Sequence, residues 1–408
     1  MTLDPVHLDA IATLAGTIHS ATEGTDHRSL AEDVWRGALD PLATDDGRLE
    51  PLDERERFRA PVEDLGLQAP PTPSVHGLDA GTVNPRTFAN GLVLDVAQAA
   101  MSATPSDLGV ARERTIVTCV HTNDATVDAA TDWRGFDGGR GRVVQVPRLA
   151  RDRLRAVHGL ALALAESAHA LAHADAVEDL LVLDGPLYPP PVLAVAMERG
   201  AAGRRLATEA IGREVCANYA RLVERFVEND VPLVGFVKTA ESTAVLRALG
   251  DLSDPPPTPW ADDLAFFTRV LEPGDDARVL TWTNWFVSTL GGDGAFAAER
   301  APPGVDRALE PADYRVAFFV VHDPRVDLSF RVELPYAQAR DPAVRERVRK
   351  RVLRGVAAEA GPPAAIRKAD ALARIDRGEK ASLLERLERA LDTTRTAGYD
   401  ELRWGLEA

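Results

Sequence analysis

Apolar residues from Val6 to Ile18 recur every three or four positions, the spacing of one helix face, and a second such stretch runs around Leu30 to Leu42. Residues 1 to 60 therefore read as helical. APPTPSV (69–75) interrupts the pattern, because proline fixes φ and removes a backbone donor. From Val75 the period changes. VHGLDAGTV (75–83), GLVLDVAQAAM (91–101) and RTIVTCVHT (114–122) read as strands, the last marked by its β-branched residues. Residues 131–142, rich in Asp, Gly and Arg, read as a loop. A long Ala- and Leu-rich helix is predicted from about Leu149 to Ala174. LLVLDG (180–185) has the form of a buried parallel strand. A helix over Leu206 to Glu228, a strand VPLVGFVK (231–238), a proline-rich hinge from Ser253 to Trp260 and a helix over 261–271 follow. YRVAFFVV (314–321) and LSFRVELP (328–335) predict a hairpin, and from Asp341 the chain reads as mostly helical.

Three strands in succession, then alternating helix and strand, predict an α/β fold: a mixed sheet with helices on its faces. That order resembles the arrangement of ribonuclease H-like nucleases. The expected organisation is an N-terminal helical region (1–70), a ribonuclease H-like core (71–340) and a C-terminal helical region (341–408).

Composition removes other classes. The 408 residues are 45% hydrophobic and 27% charged, ordinary for a globular chain. No run approaches the roughly 18 apolar residues of a membrane span. MTLDPVHLDAIATL lacks the basic flank and continuous apolar stretch of a secretory signal. A cytoplasmic protein with no membrane association is expected. Cys119 and Cys216 cannot build a disulfide framework or a four-thiolate zinc site. The net charge of −16 argues against a whole-surface nucleic-acid binder while leaving room for a local basic groove. Lysine occurs only at 238, 350, 368 and 380. An acidic, lysine-poor, arginine-rich composition points to a GC-rich genome and a salt-rich cytoplasm.

Several chemistries are missing. There is no Walker-type loop, no GxGxxG after a strand and no GxSxG elbow; GGRGR (138–142) lacks the lysine and helix start that phosphate binding needs. Cys119 and Cys216 read as core residues. His169 and His173, four apart on a helix, could pair on a metal, but HALAH has no zincin glutamate and a solvated helix face is the plainer reading.

Carboxylates at strand ends carry more. Asp79 ends VHGLD and Asp184 ends LLVLD, each followed by a small-residue turn. Two carboxylates held close repel, and a hard divalent cation relieves the repulsion. The alternative is that each Asp caps its turn. Glu166 lies in the long helix before Asp184, but Leu160, Leu164, Ala168 and Leu171 form the apolar stripe and Glu166 falls nearly opposite, the place of a solvated residue. Asp262 and Asp263 start a helix, where acids favour the helix dipole or, more sharply, supply a fourth ligand. Basic clusters occur at 140–155 (Arg140, Arg142, Arg148, Arg151, Arg153, Arg155) and 345–354 (Arg345, Arg347, Arg349, Lys350, Arg351, Arg354). They read as phosphate contacts or as partners of the acidic surface. Lys238, ending its strand, is a further phosphate candidate, and Tyr188 follows Asp184 closely enough to lie beside the same site.

The runs HGLDAGTVNPRTFANGLVLDVAQAAM, LALAESAHAL, DLLVLDGPLYP, VPLVGFVKTAEST and WADDLAFFTRVL resemble the NurA family of DNA-end-processing nucleases, its haloarchaeal members above all, over roughly residues 75 to 380. The resemblance implies a ribonuclease H-like fold, a homodimer with a DNA channel and a manganese-dependent site, with magnesium the alternative ion. It also implies 5′-to-3′ degradation of DNA ends, single-strand endonuclease activity and partnership with the HerA hexameric ATPase in break repair. The family's metal carboxylates fall on Asp79, Glu166, Asp184 and Asp263 (Asp263 better than Asp262), and its strand-end lysine falls on Lys238. Many members carry an Ala-His pair after a proline turn; here GPPAAIRKADAL places Asp370 after Ala369. A carboxylate there can bind metal but cannot act as an imidazole. The expected function is a metal-dependent deoxyribonuclease with Asp79, Glu166, Asp184 and Asp263 as ligands, and Lys238, Arg148, Arg151, Arg155, Arg349 and Arg351 on the DNA. Two other functions would suit the fold: a catalytically weak DNA clamp for a translocase, and a hydrolase of small phosphate esters.

Overall fold

The predicted strands from Val75 onward form the middle of one large mixed sheet. The computed structural model describes residues 4–22, 27–150, 154–239, 242–274 and 277–396. Its strands are β1 (Leu42–Thr44), β2 (Gly47–Pro51), β3 (Arg57–Pro61), β4 (Val75–Thr87), β5 (Val93–Thr104), β6 (Arg114–His121), β7 (Arg134–Phe136), β8 (Gly139–Val146), β9 (Leu181–Leu183), β10 (Leu233–Val237), β11 (Val279–Thr283), β12 (Phe286–Ser288), β13 (Val316–Asp323) and β14 (Leu328–Pro335). Their order is β1-β2-β12-β13-β14-β10-β9-β4-β5-β6-β8-β7, and β11 pairs with β13 and β3. β4, β5 and β6 are antiparallel neighbours, whereas β4, β9 and β10 run parallel.

Two stretches correct the reading of the sequence. Residues 1 to 60 are not wholly helical: the helices Pro5–Thr22 and His27–Ala38 form, but β1 to β3 occupy 42–61 and join the same sheet. These strands are three to five residues long, too short for alternation to outweigh a helical pattern nearby. Residues 131–142, read as a loop, contribute β7 and the first half of β8, joined by a two-residue Asp137-Gly138 turn, a hairpin signal in its own right.

The sheet is covered on both faces, which is why its central strands are continuous apolar runs. The helices Leu154–Ala172, Pro190–Ala196 and Ala210–Glu228 bury Leu160, Leu164, Val192, Val215 and Phe226 over one face. The helices Pro342–Glu359 and Ala364–Ala373 bury Val348, Val352, Val356 and Ile366 over the other. A third core packs the helices His27–Ala38, Ala244–Gly250 and Asp263–Leu271 around Phe286 and Phe318. Cys119 and Cys216 are buried free thiols, as expected.

Two glycines let the C-terminal region approach the central strand. A side chain at Gly77 would run within 2.5 Å of the Ala365 carbonyl, and one at Gly81 within 2.1 Å of the Ala373 carbonyl. With hydrogen there instead, the helix Ala364–Ala373 lies directly on β4. This contact brings Asp370 to the end of the sheet where Asp79 emerges.

Candidate active site

Strand register sets the first two carboxylates side by side. Leu78 on β4 is the partner of Leu183 on the parallel strand β9. Asp79 and Asp184 each follow one of these leucines, so they occupy the same level on neighbouring strands, and the Asp184 amide donates to the Leu78 carbonyl at 2.9 Å. Asp79 Oδ1 accepts from the Ala80 amide at 2.7 Å. β10 supplies the third member: Lys238 follows its last residue, and Nζ donates to Asp184 Oδ2 at 2.6 Å.

Glu166 approaches from the helix above. The wheel places it opposite the main apolar stripe, and it is nevertheless walled in, because the Leu154–Ala172 helix packs on β4, β5 and β6 with one side and on the Ala210–Glu228 helix with another. Tyr219 from that second helix donates its hydroxyl to Glu166 Oε2 at 3.3 Å. Glu166, Asp184, Gly185 and Tyr219 line a pocket of about 180 Å³. The same two-sided packing corrects the reading of His169 as solvated: it is fully buried, its Nδ1 3.0 Å from Thr115 Oγ1. Burial, then the adjacent His173 and the Arg114 and Arg140 guanidiniums, hold its pKa down at about 3, which leaves it a neutral core residue.

The cluster is under-neutralised. Burial, and then the Asp184 charge, push the Asp79 carboxyl up to about 7. Burial, and then the Asp79 charge, push Glu166 up to about 8. Asp184 is also raised by burial, although the Lys238 ammonium opposes the shift. One lysine therefore faces three carboxylates, two of which, Asp79 and Glu166, are raised by the charge of their neighbours. Asp184 Oδ1 is buried without a hydrogen-bond partner. Among the described residues no group of three or more His, Cys, Asp or Glu side chains is arranged to hold a metal ion. The donor set itself, hard carboxylate oxygens with one orphaned atom, fits a hard divalent cation. Asp370 adds a fourth negative charge felt by both Asp79 and Asp184, while its own Oδ2 accepts from Arg374 at 2.7 Å.

Asp263 is held elsewhere. It is buried, accepts from Ser242 Oγ at 2.7 Å and from the Leu246 amide at 3.0 Å, and the charge it faces is Arg331. Its neighbour Asp262 caps the helix that Asp263 begins, accepting from the Ala265 amide at 2.8 Å. Tyr188, expected beside Asp184, is instead a core residue: it stacks on Phe296 with ring centroids 4.2 Å apart and donates to the Tyr314 carbonyl at 3.0 Å.

The arginine clusters divide by partner. Arg345 is buried and bound by both Asp53 oxygens at 2.8 and 2.9 Å. Arg349 pairs with Glu346 and lies over the Phe58 ring at 5.3 Å. Arg351 is half-buried in a small cavity with Arg354. Arg140 and Arg142 stack on Trp133, and Arg142 pairs with Glu214 at 2.6 Å. Arg148 and Arg155 are exposed. Arg151 and Arg153 lie outside the described residues. Sequence reasoning passed over Tyr219, which no motif marks, and the buried triad in which Asp95 Oδ2 meets His121 Nε2 at 3.1 Å and His158 Nδ1 at 3.2 Å.

The family model for the NurA domain matches residues 73–375. The chain belongs to the NurA family. That match reaches from just before Asp79 to just beyond Asp370, and so includes every member of the carboxylate cluster of this NurA-family chain. No curated protein sequence matches it. Among solved structures, the NurA nuclease from Sulfolobus solfataricus aligns with a TM-score of 0.49 at 10% identity, covering 96% of this chain and 98% of that one. NurA with manganese aligns at 0.40 and 10% identity, covering 95% and 98%. NurA bound to dAMP and manganese aligns at 0.36 and 9% identity, covering the whole of both chains.

Proposed function

We propose that this chain is a divalent-metal-dependent deoxyribonuclease that processes DNA ends. One observation carries the reading: Asp79, Glu166 and Asp184 come from three different elements, and beside a single lysine the Asp184 charge raises Asp79 while the charges of both aspartates raise Glu166. A family of nucleases is the right context for it. The order β6-β5-β4-β9-β10, antiparallel through β4 and parallel beyond, supports a ribonuclease H-like core.

Asp79, Glu166 and Asp184 would hold Mn²⁺ or Mg²⁺, and Asp370, whose charge reaches both aspartates, would join them. When bound, such an ion neutralises the carboxylates and polarises a phosphodiester for hydrolysis. The chain's own residues prepare that step. The parallel register fixes Asp79 and Asp184 at one depth, and Tyr219 fixes the Glu166 carboxylate from behind. Lys238 opposes the rise that burial imposes on Asp184 and offers a second positive charge to a phosphate entering beside it. The exposed Arg148 and Arg155 would add backbone contacts, with little base preference and a steep salt dependence. Activity from 5′ ends and on single strands, a homodimer, a HerA-type partner and break repair rest on the family resemblance. The acidic, lysine-poor composition supports a haloarchaeal cytoplasm.

Digestion of end-labelled single-stranded DNA, with Mn²⁺, with Mg²⁺ and with chelator, from low to molar salt, tests this. Cleavage should need the ion and should vanish in Asp79→Ala while the melting profile persists. Folded wild type that binds DNA and cuts at no salt concentration would instead leave the DNA clamp, a reading favoured by the placement of Asp263 away from the other carboxylates.

A further inference from the structure

A second cavity, of about 610 Å³, lies on the other side of the loop after Asp184 and shares Pro186 and Pro190 with the smaller pocket. Its size suits a small organic ligand, and its lining has two characters. Leu193 and Val316 make an apolar wall. Arg199, Arg247 and Arg331 line it together with Asp293 and Glu333. Arg331 is buried and answers both acids: its Nη2 donates to the two Asp293 oxygens at 2.9 Å each, and its Nε stands 2.9 Å from Glu333 Oε1.

Arg199 and Arg247 are left over. Both are exposed at the cavity, and among the described residues neither enters an ion pair; Arg247 Nε only donates to the Thr243 carbonyl at 3.3 Å. The loop that follows β12 adds bare backbone. Gly291 has φ +58°, a side chain at Gly292 would run within 2.5 Å of Leu193 Cδ1, and the amides of both make no hydrogen bond among the described residues. Unpaired cations and unpaired amides beside an apolar wall are what a phosphate ester carrying a flat ring requires.

We propose that this cavity is a second nucleotide subsite, distinct from the carboxylate cluster, with the phosphate on Arg199, Arg247 and the Gly291–Gly292 backbone and the base against Leu193 and Val316. Only the origin of the nucleotide rests on the nuclease reading: a residue of the strand beside the cut, or a free mononucleotide.

Calorimetric titration of the full chain carrying Asp79→Asn, with chelator present so that nothing is cut, separates the cases. The probes are dAMP, inorganic phosphate and a short single-stranded oligonucleotide. Removing both exposed arginines, Arg199→Ala with Arg247→Ala, should weaken dAMP about tenfold or more, the loss of a charge-assisted contact. Ala194→Phe narrows the cavity without touching a charge, and should weaken dAMP while leaving phosphate alone. If the oligonucleotide weakens in parallel, the occupant is a nucleotide of the strand; if only dAMP weakens, it is a free mononucleotide. Absence of dAMP binding, or binding unchanged by both variants, overturns the subsite. Wild type that cuts no DNA while dAMP still responds to the arginines would sink the nuclease reading and leave the subsite standing.

Discussion

Two groups of buried and half-buried charge sit on the same sheet, and they are built on opposite principles. On β14, Arg331 is enclosed by Asp293 and Glu333, faces Asp263, and has its guanidinium carbon 4.0 Å from the centre of the Phe318 ring. Every charge there has a partner supplied by the chain. Where β4 passes the end of β9, Asp79, Glu166 and Asp184 share one lysine, with Asp370 adding to the excess. Burial is costly in both places. Only the first group is satisfied from within, so only the second creates a demand that an ion from outside would meet. A perturbed carboxylate marks a functional site when its neighbours fail to neutralise it, rather than whenever it is buried.

The sharpest way to break that contrast is to remove one member from each group and measure stability without metal. Arg331→Met leaves two buried acids without their cation, and the cost should be about 3–5 kcal/mol, read as a lower denaturant midpoint. Adding Asp293→Asn and Glu333→Gln should recover part of the loss. Asp79→Ala removes a carboxylate that its neighbours repel, so the metal-free protein should keep or slightly raise its midpoint. Equal losses in the two variants would erase the distinction between a structural network and a site.

Protonation gives the next largest effect. Asp79 near 7 and Glu166 near 8 lie above the ordinary carboxylate range of about 4. The folded chain therefore holds these protons more tightly than the unfolded chain does. Their contribution is fully present below about pH 4 and declines as the pH rises through about 7 to 8, and it is flat above that. A difference of about 1–2 kcal/mol between pH 5 and pH 8 is expected after solvent screening, measured against Glu166→Gln to subtract the other carboxylates. Mn²⁺ at a hundredfold excess over its Kd should return about 2.7 kcal/mol at pH 8. A flat profile unaffected by the ion would remove the electrostatic basis of the site.

How much of this was legible beforehand depended on whether a residue's partner is near in sequence. Asp184 was visible because a strand that ends in Asp-Gly announces its own geometry, whereas β4 runs on to Thr87 and carries Asp79 within it rather than at its end. Glu166 was misplaced by the helical wheel, which assumes one buried face, whereas the Leu154–Ala172 helix has two. Strands β1 to β3 were hidden because each is too short to show a period. For the 345–354 cluster phosphate contact and ion pairing both stayed open, because the sequence does not show that Arg345 meets Asp53, 292 positions earlier. Tyr219 carried no local signal at all, since its role comes only from helix packing.

Lys238 sharpens the comparison at a smaller scale. It stands on Asp184 at 2.6 Å with its side chain about 40% exposed, so among the described residues it is the cation that neutralises the Asp79, Glu166 and Asp184 group. Lys238→Met should slow cleavage about tenfold, the loss of one charge-assisted contact to phosphate, while making Mn²⁺ bind at least as tightly, because an ammonium no longer competes for Asp184. Weaker Mn²⁺ binding in the variant would show instead that Lys238 organises the carboxylates.

The smallest effect should come from Asp263, and it decides to which group that residue belongs. Its carboxylate ties Ser242 and the Leu246 amide together, facing Arg331 rather than Asp79. Asp263→Asn keeps an oxygen acceptor for one of those bonds and removes the charge. Cleavage at saturating Mn²⁺ should then change by no more than about threefold, or roughly 0.6 kcal/mol of barrier, while the denaturant midpoint falls slightly. A hundredfold loss of cleavage with Mn²⁺ affinity reduced in step would move Asp263 into the carboxylate cluster, and the division between the balanced network on β14 and the unbalanced group at β4 and β9 would have to be redrawn with Asp263 on the other side.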